Sequence, residues 1–194
     1  MEEASRAPVE AQARISAQAH IRSLPRRQQL AVAGASAALA AGCLIRFGLT
    51  GHALVGAIFS AALVLLTAID LDRRLLPDAI VLPVLATVLI LQIAFHPDNT
   101  LEWVLATLGA ALFFFIPMLI YPAGMGMGDV KLAALLGAAL GKSVTAAIAV
   151  GLVAGGAFAL LVIAREGVGA RKKAIPFGPF LALGGLVVLF LGGR

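Results

Sequence analysis

The chain has 194 residues, is 61% hydrophobic and only 13% charged, and carries a net charge of +5. Soluble domains are about 45–50% apolar and about 25% charged, and a globule of this size cannot bury so much apolar surface. The composition therefore excludes a soluble enzyme, a disordered regulator and a disulfide scaffold, and it indicates one domain that crosses a membrane several times.

The N-terminal segment, residues 1–29, is polar and contains five arginines. The first apolar run begins only at Leu30 and is not followed by a clear small-residue cleavage site. We therefore interpret residues 1–29 as a basic cytoplasmic tail and not as a signal peptide. Two structures stay open for it, a disordered chain or a weak amphipathic helix on the membrane surface. Residues 30–194 are predicted to form the membrane-embedded domain.

Apolar runs along the rest of the chain predict an all-α fold, a polytopic bundle of six to seven transmembrane segments. A spanning helix needs about 20 mostly apolar residues. The run at 129–141 is shorter, about 20 Å at about 1.5 Å per residue, so it is either a short span or a re-entrant half-helix. The predicted segments are 30–48, 53–70, 79–95, 103–122, 129–141, 143–164 and 175–192.

Basic residues favour seven crossings with the N-terminus in the cytoplasm. In that layout all but three of the 15 Lys and Arg fall on the cytoplasmic side, as the positive-inside rule requires. If 129–141 did not cross, the basic loop at 165–173 would lie on the far side. The charge excess thus reflects membrane topology and lipid contact, and we predict no nucleic-acid partner.

Two aspartates at the cytoplasmic helix ends are the candidate catalytic residues, because ionisable groups at membrane depth are costly and mark function. Asp70 follows seventeen uncharged residues in the second segment, and Asp129 opens the fifth after the glycine-rich stretch 124–128. Two carboxyls within hydrogen-bond reach share a proton, so that one activates water and the other polarises a peptide carbonyl. The helix dipoles favour the carboxylate at Asp129 and the acid at Asp70.

Each acidic residue in these regions also has a structural interpretation. Asp129 is placed to cap its helix, and Asp70 to pair with a neighbouring arginine at the membrane boundary. Asp78 follows Pro77 and is expected to be the N-cap of the third segment. Asp72 is expected to form an ion pair with the adjacent arginine in the loop. We predict that Asp72, Pro77 and Asp78 are structural residues near the site.

Residues that bind metals give no candidate centre. His20, His52 and His96 lie in the tail and in different loops, so no two of them are expected to ligate one metal. Cys43 is the only cysteine, lies in an apolar run, and is expected to be a packing residue. We predict neither a metal nor another cofactor.

Three blocks of sequence resemble the active-site regions of the bacterial prepilin peptidases, the type IV leader peptidase family, in the same order. They are IDLDRRLLPDAIVLP at 69–83, GMGMGDVKL at 124–132 and IPFGPFLA at 175–182. The resemblance implies an aspartic peptidase of the inner membrane, distantly similar to presenilin-type proteases with their Gly-x-Gly-Asp motif. It maps the catalytic residues onto Asp70 and Asp129. It also implies a prepilin or pseudopilin substrate, cleaved behind its basic leader at the cytoplasmic boundary, typically after a glycine.

The resemblance is incomplete at the N-terminus. Many family members carry an additional N-terminal helix and a cytoplasmic domain with paired Cys-x-x-Cys motifs, and they N-methylate the new terminus with S-adenosylmethionine. This sequence has neither feature, so we expect no methyltransferase activity. The shorter architecture is similar to the peptidases of tight-adherence (Flp-type) pili.

Five further residues are predicted to contact the substrate. A helical peptide bond must unwind before it is attacked, and Gly126 and Gly128 would let an extended backbone pass close to the second aspartate. Valine at either glycine should then abolish cleavage without unfolding the protein. Pro176 and Pro179 either form a second wall of the site or, at Pro176, start a helix. Lys131, disfavoured in a first helical turn, is expected to contact substrate, lipid phosphate or a nearby acidic group.

A different class of function stays open on the residues alone. A non-catalytic membrane component of a pilus, secretion or transport machine would also place acids within the membrane, as structure or as a proton path. The substitutions Asp70→Asn and Asp129→Asn separate the two hypotheses. A protease should lose leader cleavage with each of them, whereas a scaffold should keep its assembly role with at least one.

Overall fold

A computed structural model describes residues 26–73, 76–121, 126–166 and 176–192. Within these ranges the chain forms seven α-helices and no strand, which confirms the all-α prediction. Two short 3-10 turns, Pro97–Asn99 and Gly141–Ser143, precede the fourth and sixth helices. The helices are α1 (Arg26–Phe47), α2 (Gly51–Arg73), α3 (Asp78–Phe95), α4 (Thr100–Ile120), α5 (Met127–Leu140), α6 (Val144–Glu166) and α7 (Gly178–Leu191).

The helices make this a multi-pass membrane protein. Five stretches of the described chain are long and apolar enough to cross a membrane, and one of them, Met127–Glu166, contains both α5 and α6. The remaining helix, α7, is apolar but has only 14 residues. Each predicted segment coincides with one helix. Helix α1 begins at Arg26, and residues 1–25 of the predicted tail lie outside the described residues.

The short helix α5 lies at the centre of the bundle. Its residues from Leu132 to Leu140 are all buried, and it packs against α2, α3, α4, α6 and α7. Small side chains permit this central position, since they let helix backbones approach closely in lipid. A Cβ on Gly137 would collide with the backbone of Ala106 in α4. Because other helices surround it, α5 does not have to match the thickness of the bilayer by itself.

One buried hydrogen bond joins α3 to the central helix. The amide of Gln92, buried on α3, donates to the carbonyl of Ala139 on α5 at 2.9 Å. An interhelical hydrogen bond of this kind contributes about 0.6 kcal/mol on average in a membrane.

Helix α1 packs mainly on α2. There Cys43 is buried against Gly56, in the packing role predicted for it.

Alternating helix directions give the bundle two ends. We call the end that holds Asp70, Asp78, Asp129 and Gly178 the aspartate end. We call the opposite end, which holds His52, His96, Trp103 and Lys142, the histidine end.

The histidine end corrects one prediction. The rings of His52 and His96 stack with centroids 4.2 Å apart, although the sequence analysis placed them apart. They meet because the start of α2 lies beside the end of α3. Trp103 packs nearby, with its ring centroid 6.4 Å from that of His96. Across the described residues, no group of three or more His, Cys, Asp or Glu side chains is arranged to hold a metal ion.

Candidate active site

Three helices converge on the candidate site through a shared register. Each carries two residues seven positions apart, and residues two turns apart lie on nearly the same helix face. A Cβ on Gly185 would lie 3.1 Å from Cδ1 of Leu63 and 3.5 Å from Cδ2 of Leu136, so these three residues form one layer. A second layer, about 10 Å closer to the aspartate end, contains the other member of each pair. The pairs are Leu63 and Asp70 on α2, Leu136 and Asp129 on α5, and Gly185 and Gly178 on α7.

Asp70 is enclosed in the second layer and is only 6% exposed. Gly178 lies directly against it, since a Cβ at that position would be 2.6 Å from Asp70 Oδ2. The backbone N–H of Gly178 is directed at the carboxyl group. Oδ2 has no hydrogen-bond partner among the described residues. A buried oxygen left in this state is costly, which is typical of groups kept for function.

Asp129 is the third residue of α5, after the N-cap residue Gly126. Its backbone N–H donates to the Gly126 carbonyl at 3.1 Å, and its carboxylate accepts from the Gly126 N–H. The reciprocal bonds resemble a capping box, so Asp129 closes the first turn from inside the helix and is not itself the N-cap. Asp129 is also close enough to Asp70 for their negative charges to repel each other.

Lys131 and Asp78 join the starts of α5 and α3. Lys131 Nζ lies 2.5 Å from Asp78 Oδ1, which matches the alternative in which Lys131 holds a nearby acidic group. The N-cap prediction for Asp78 was wrong by one residue, because Pro77 is the N-cap and Asp78 is the first helical residue. The Asp78 side chain is 59% exposed, and exposed ion pairs contribute only about 0–1 kcal/mol. The pair therefore holds the starts of α3 and α5 together but contributes little to the stability of the fold.

The two predicted substrate-path glycines have different surroundings. Gly126 has extended backbone, and among the described residues a Cβ there would meet only the Gly128 nitrogen, at 3.9 Å. At Gly128 a Cβ would lie 2.9 Å from the Cβ of Leu76. Within the described part of the chain, Gly126 is thus uncrowded, whereas Gly128 packs against the segment before α3. Gly124 lies outside the described residues.

Helix α7 contributes its first residue, Gly178, to the site. Pro176 precedes the N-cap residue Phe177, and Pro179 lies in the first turn. The helix therefore starts at Gly178, two residues later than the alternative that Pro176 starts it. Sequence reasoning missed Gly178 as a site residue. Its spacing of seven from Gly185 within an apolar helix was the available signal.

Asp72 and Phe177 also lie at the aspartate end. Asp72 is exposed on the last turn of α2, and the side chain of its predicted partner, Arg73, lies outside the described part of the chain. Phe177, also missed from the sequence, packs between α4 and α6. Its ring centroid is 6.0 Å from that of Phe114, and a Cβ on Gly155 would lie 2.9 Å from its Cε2.

Residues 57–163 match the sequence model of the type IV leader peptidase family. The chain belongs to this family. The matched region covers more than half of the chain and includes Asp70 and Asp129, and it confirms the membership predicted from the three sequence blocks. It ends within α6, so Gly178 lies beyond it.

Curated relatives of the chain are named prepilin leader peptidase/N-methyltransferase. The protein of Burkholderia pseudomallei (strain K96243) is 37% identical over 164 residues, which cover 81% of this chain and 53% of the relative. That of Aeromonas salmonicida (strain A449) is 34% identical over 137 residues, 67% of this chain and 46% of the relative. That of Xanthomonas campestris is 33% identical over 158 residues, which cover 76% of this chain and 53% of the relative. The chain thus spans about half the length of these relatives. No solved structure matches it.

Proposed function

We propose that the chain is a membrane aspartic endopeptidase that removes the basic leader of prepilin-like proteins. The observation that carries the proposal is the layer in which Asp70 lies against Gly178 and Asp129, from a different helix, is close enough to Asp70 for their charges to interact. The names of the relatives, which describe prepilin leader peptidases, support this substrate class.

The proposed chemistry uses two carboxyl groups that share one proton. The ionised carboxyl takes a proton from water, and the water oxygen attacks the scissile carbonyl carbon. The protonated carboxyl donates to the carbonyl oxygen, and the tetrahedral intermediate then breaks its C–N bond as the amine nitrogen gains a proton. We assign the base to Asp129, which is only half-buried whereas Asp70 is almost fully enclosed, since enclosure favours the neutral form of a carboxyl group. Asp70, buried against Gly178, is the acid.

The proposed substrate is a chain with a basic leader followed by an apolar helix. Its scissile bond must be non-helical, because helical carbonyls are already hydrogen-bonded. No described residue outside the first turn of α5 crowds a Cβ at Gly126, and there we place the extended backbone of the substrate. We place the aspartate end at the cytoplasmic face of a bacterial inner membrane, with a cytoplasmic N-terminus, because this orientation satisfies the positive-inside rule.

Co-expression with a prepilin and N-terminal sequencing of the product test the proposal. Asp70→Asn and Asp129→Asn keep the shape of each side chain but remove its acid–base chemistry. Each should lower the cleavage rate by about 10²–10⁴-fold, the usual contribution of a positioned acid or base.

Asp98→Asn is the matched control, because Asp98 is exposed in the 3-10 turn at the histidine end. It should cleave at the wild-type rate. Wild-type cleavage by either Asp70→Asn or Asp129→Asn would refute the assigned dyad. A wild-type protein that leaves every prepilin uncut would refute the peptidase itself.

A further inference from the structure

The junction between α4 and α6 is the most open part of the helix ring around α5. These two helices touch each other at only a few positions, and a groove of about 760 Å³ runs between them. We call it the α4–α6 groove. Its polar side chains, Glu102, Lys142 and Thr145, all belong to the first turns of the two helices or the turn before α6. They lie at the histidine end, and the rest of the groove is apolar.

The other end of the groove leads towards the aspartates through a row of aromatic rings. Phe113 lines the groove, and its ring centroid is 5.3 Å from that of Phe114. Phe114 in turn packs against Phe177, at 6.0 Å. Phe177 directly precedes Gly178, which lies against Asp70. Packed aromatic rings therefore join the groove to the candidate active site, and Phe177 stands between them.

The direction of Asp129 agrees with this route. On α5, Gly137 faces α4, and Asp129 is rotated from it by about 80° at 100° per residue. Leu136 lies on the other side of Asp129 around the helix axis and faces Gly185 on α7. Asp129 therefore points between the direction of α4 and the direction of α7. Helix α6 packs on α7 and borders α4. Asp129 therefore faces the side of the bundle on which the α4–α6 groove opens.

We propose that the α4–α6 groove binds the apolar transmembrane helix of the substrate, an inference that rests on the proposed function. From Leu101 to Phe113 the groove extends along thirteen residues of α4, about 18 Å or three helical turns. Ala106, Gly109 and Ala110 line it and allow a second helix to approach closely. A helix seated there would direct one end past Phe177 to the aspartates. That end is its N-terminus, because the leader precedes the helix.

Photo-crosslinking tests the occupant without requiring cleavage. A photoreactive amino acid replaces Leu105, which lines the groove and is 57% exposed, or Ile45, which lies on α1 outside the lining and is 87% exposed. The Asp129→Asn protein is reconstituted in phosphatidylethanolamine/phosphatidylglycerol vesicles with a prepilin that has a basic leader and one apolar helix. We expect at least fivefold more prepilin adduct from position 105. Equal adducts at both positions, or adducts of position 105 with lipid or a second copy only, overturn the proposal.

Filling the groove tests its role in cleavage. A Cβ added at Gly109 meets no atom of the described residues within 4 Å, and the same holds for Gly34 on α1, outside the lining. Gly109→Leu should therefore fold normally but raise KM for the prepilin at least tenfold, whereas Gly34→Leu should leave KM unchanged. An unchanged KM in Gly109→Leu overturns the groove proposal. Cleavage of the prepilin by the wild-type protein would in that case still support the peptidase. If the wild type cuts no prepilin, the peptidase fails and the crosslinks still decide the groove.

Discussion

The contact between Gly178 and Asp70 predicts that one added methyl group will disable the enzyme. In Gly178→Ala the new Cβ would lie 2.6 Å from Asp70 Oδ2, while ordinary contact begins at 3.4 Å, so the carboxyl must move by about 0.8 Å. Misplacement of a catalytic group by about 1 Å can cost about 10²-fold in rate. We therefore expect kcat to fall about 30- to 100-fold, or about 2–3 kcal/mol in the barrier. Helix α7 itself should not suffer, because alanine favours helix more than glycine does.

The assay is prepilin cleavage in vesicles, with kcat and KM measured beside the thermal unfolding of each variant. Gly185→Ala is the matched control, since its Cβ would meet the far ends of the Leu63 and Phe59 side chains at 3.1 and 3.3 Å. It crowds the same three helices one layer deeper, and it should lower stability slightly while kcat stays near wild type. A Gly178→Ala protein with wild-type kcat would show that the Asp70 carboxyl does not need this position, and the reasoning would be wrong.

Three further predictions follow from the aspartate end. Gly126→Val should keep its unfolding temperature yet lose cleavage, whereas Gly128→Val should lower that temperature and be rescued by Leu76→Ala; equal unfolding temperatures for the two valine variants would contradict the packing difference. A double-mutant cycle on Lys131 and Asp78 should give a coupling free energy below about 1 kcal/mol, and a larger value would mean that the pair is more than positional. Because one proton is shared by two carboxyls, kcat should rise and then fall with pH, and a rate that only rises would exclude the dyad.

Helix positions were largely predictable from the sequence. The prediction of 79–95 became Asp78–Phe95, and 53–70 became Gly51–Arg73. Within lipid every backbone hydrogen bond must be made inside the segment itself, so an uninterrupted apolar run has to be a helix. The number of crossings then placed Asp70 and Asp129 at the same end, because each spanning helix takes the chain to the other side of the membrane. The end of the second segment and the start of the fifth segment therefore lie on the same side.

The contacts within the site were only partly predictable. The sequence analysis named Asp70, Asp129 and the glycines before α5, but it left the partner of Lys131 open and missed Gly178 and Phe177. It also separated His52 from His96, whose rings stack. These contacts join residues distant in the chain, and their choice depends on which helix faces pack together.

Composition, apolar runs and charge by themselves determined a helical membrane bundle with two acids at one end, because the cost of exposing polar backbone to lipid acts on each segment alone. Only the tertiary structure decided that α5 is central, that Gly178 lies against Asp70 and that a groove opens between α4 and α6. Those features depend on how closely the small residues of one helix let another approach, and this is a property of helix pairs that no single segment contains.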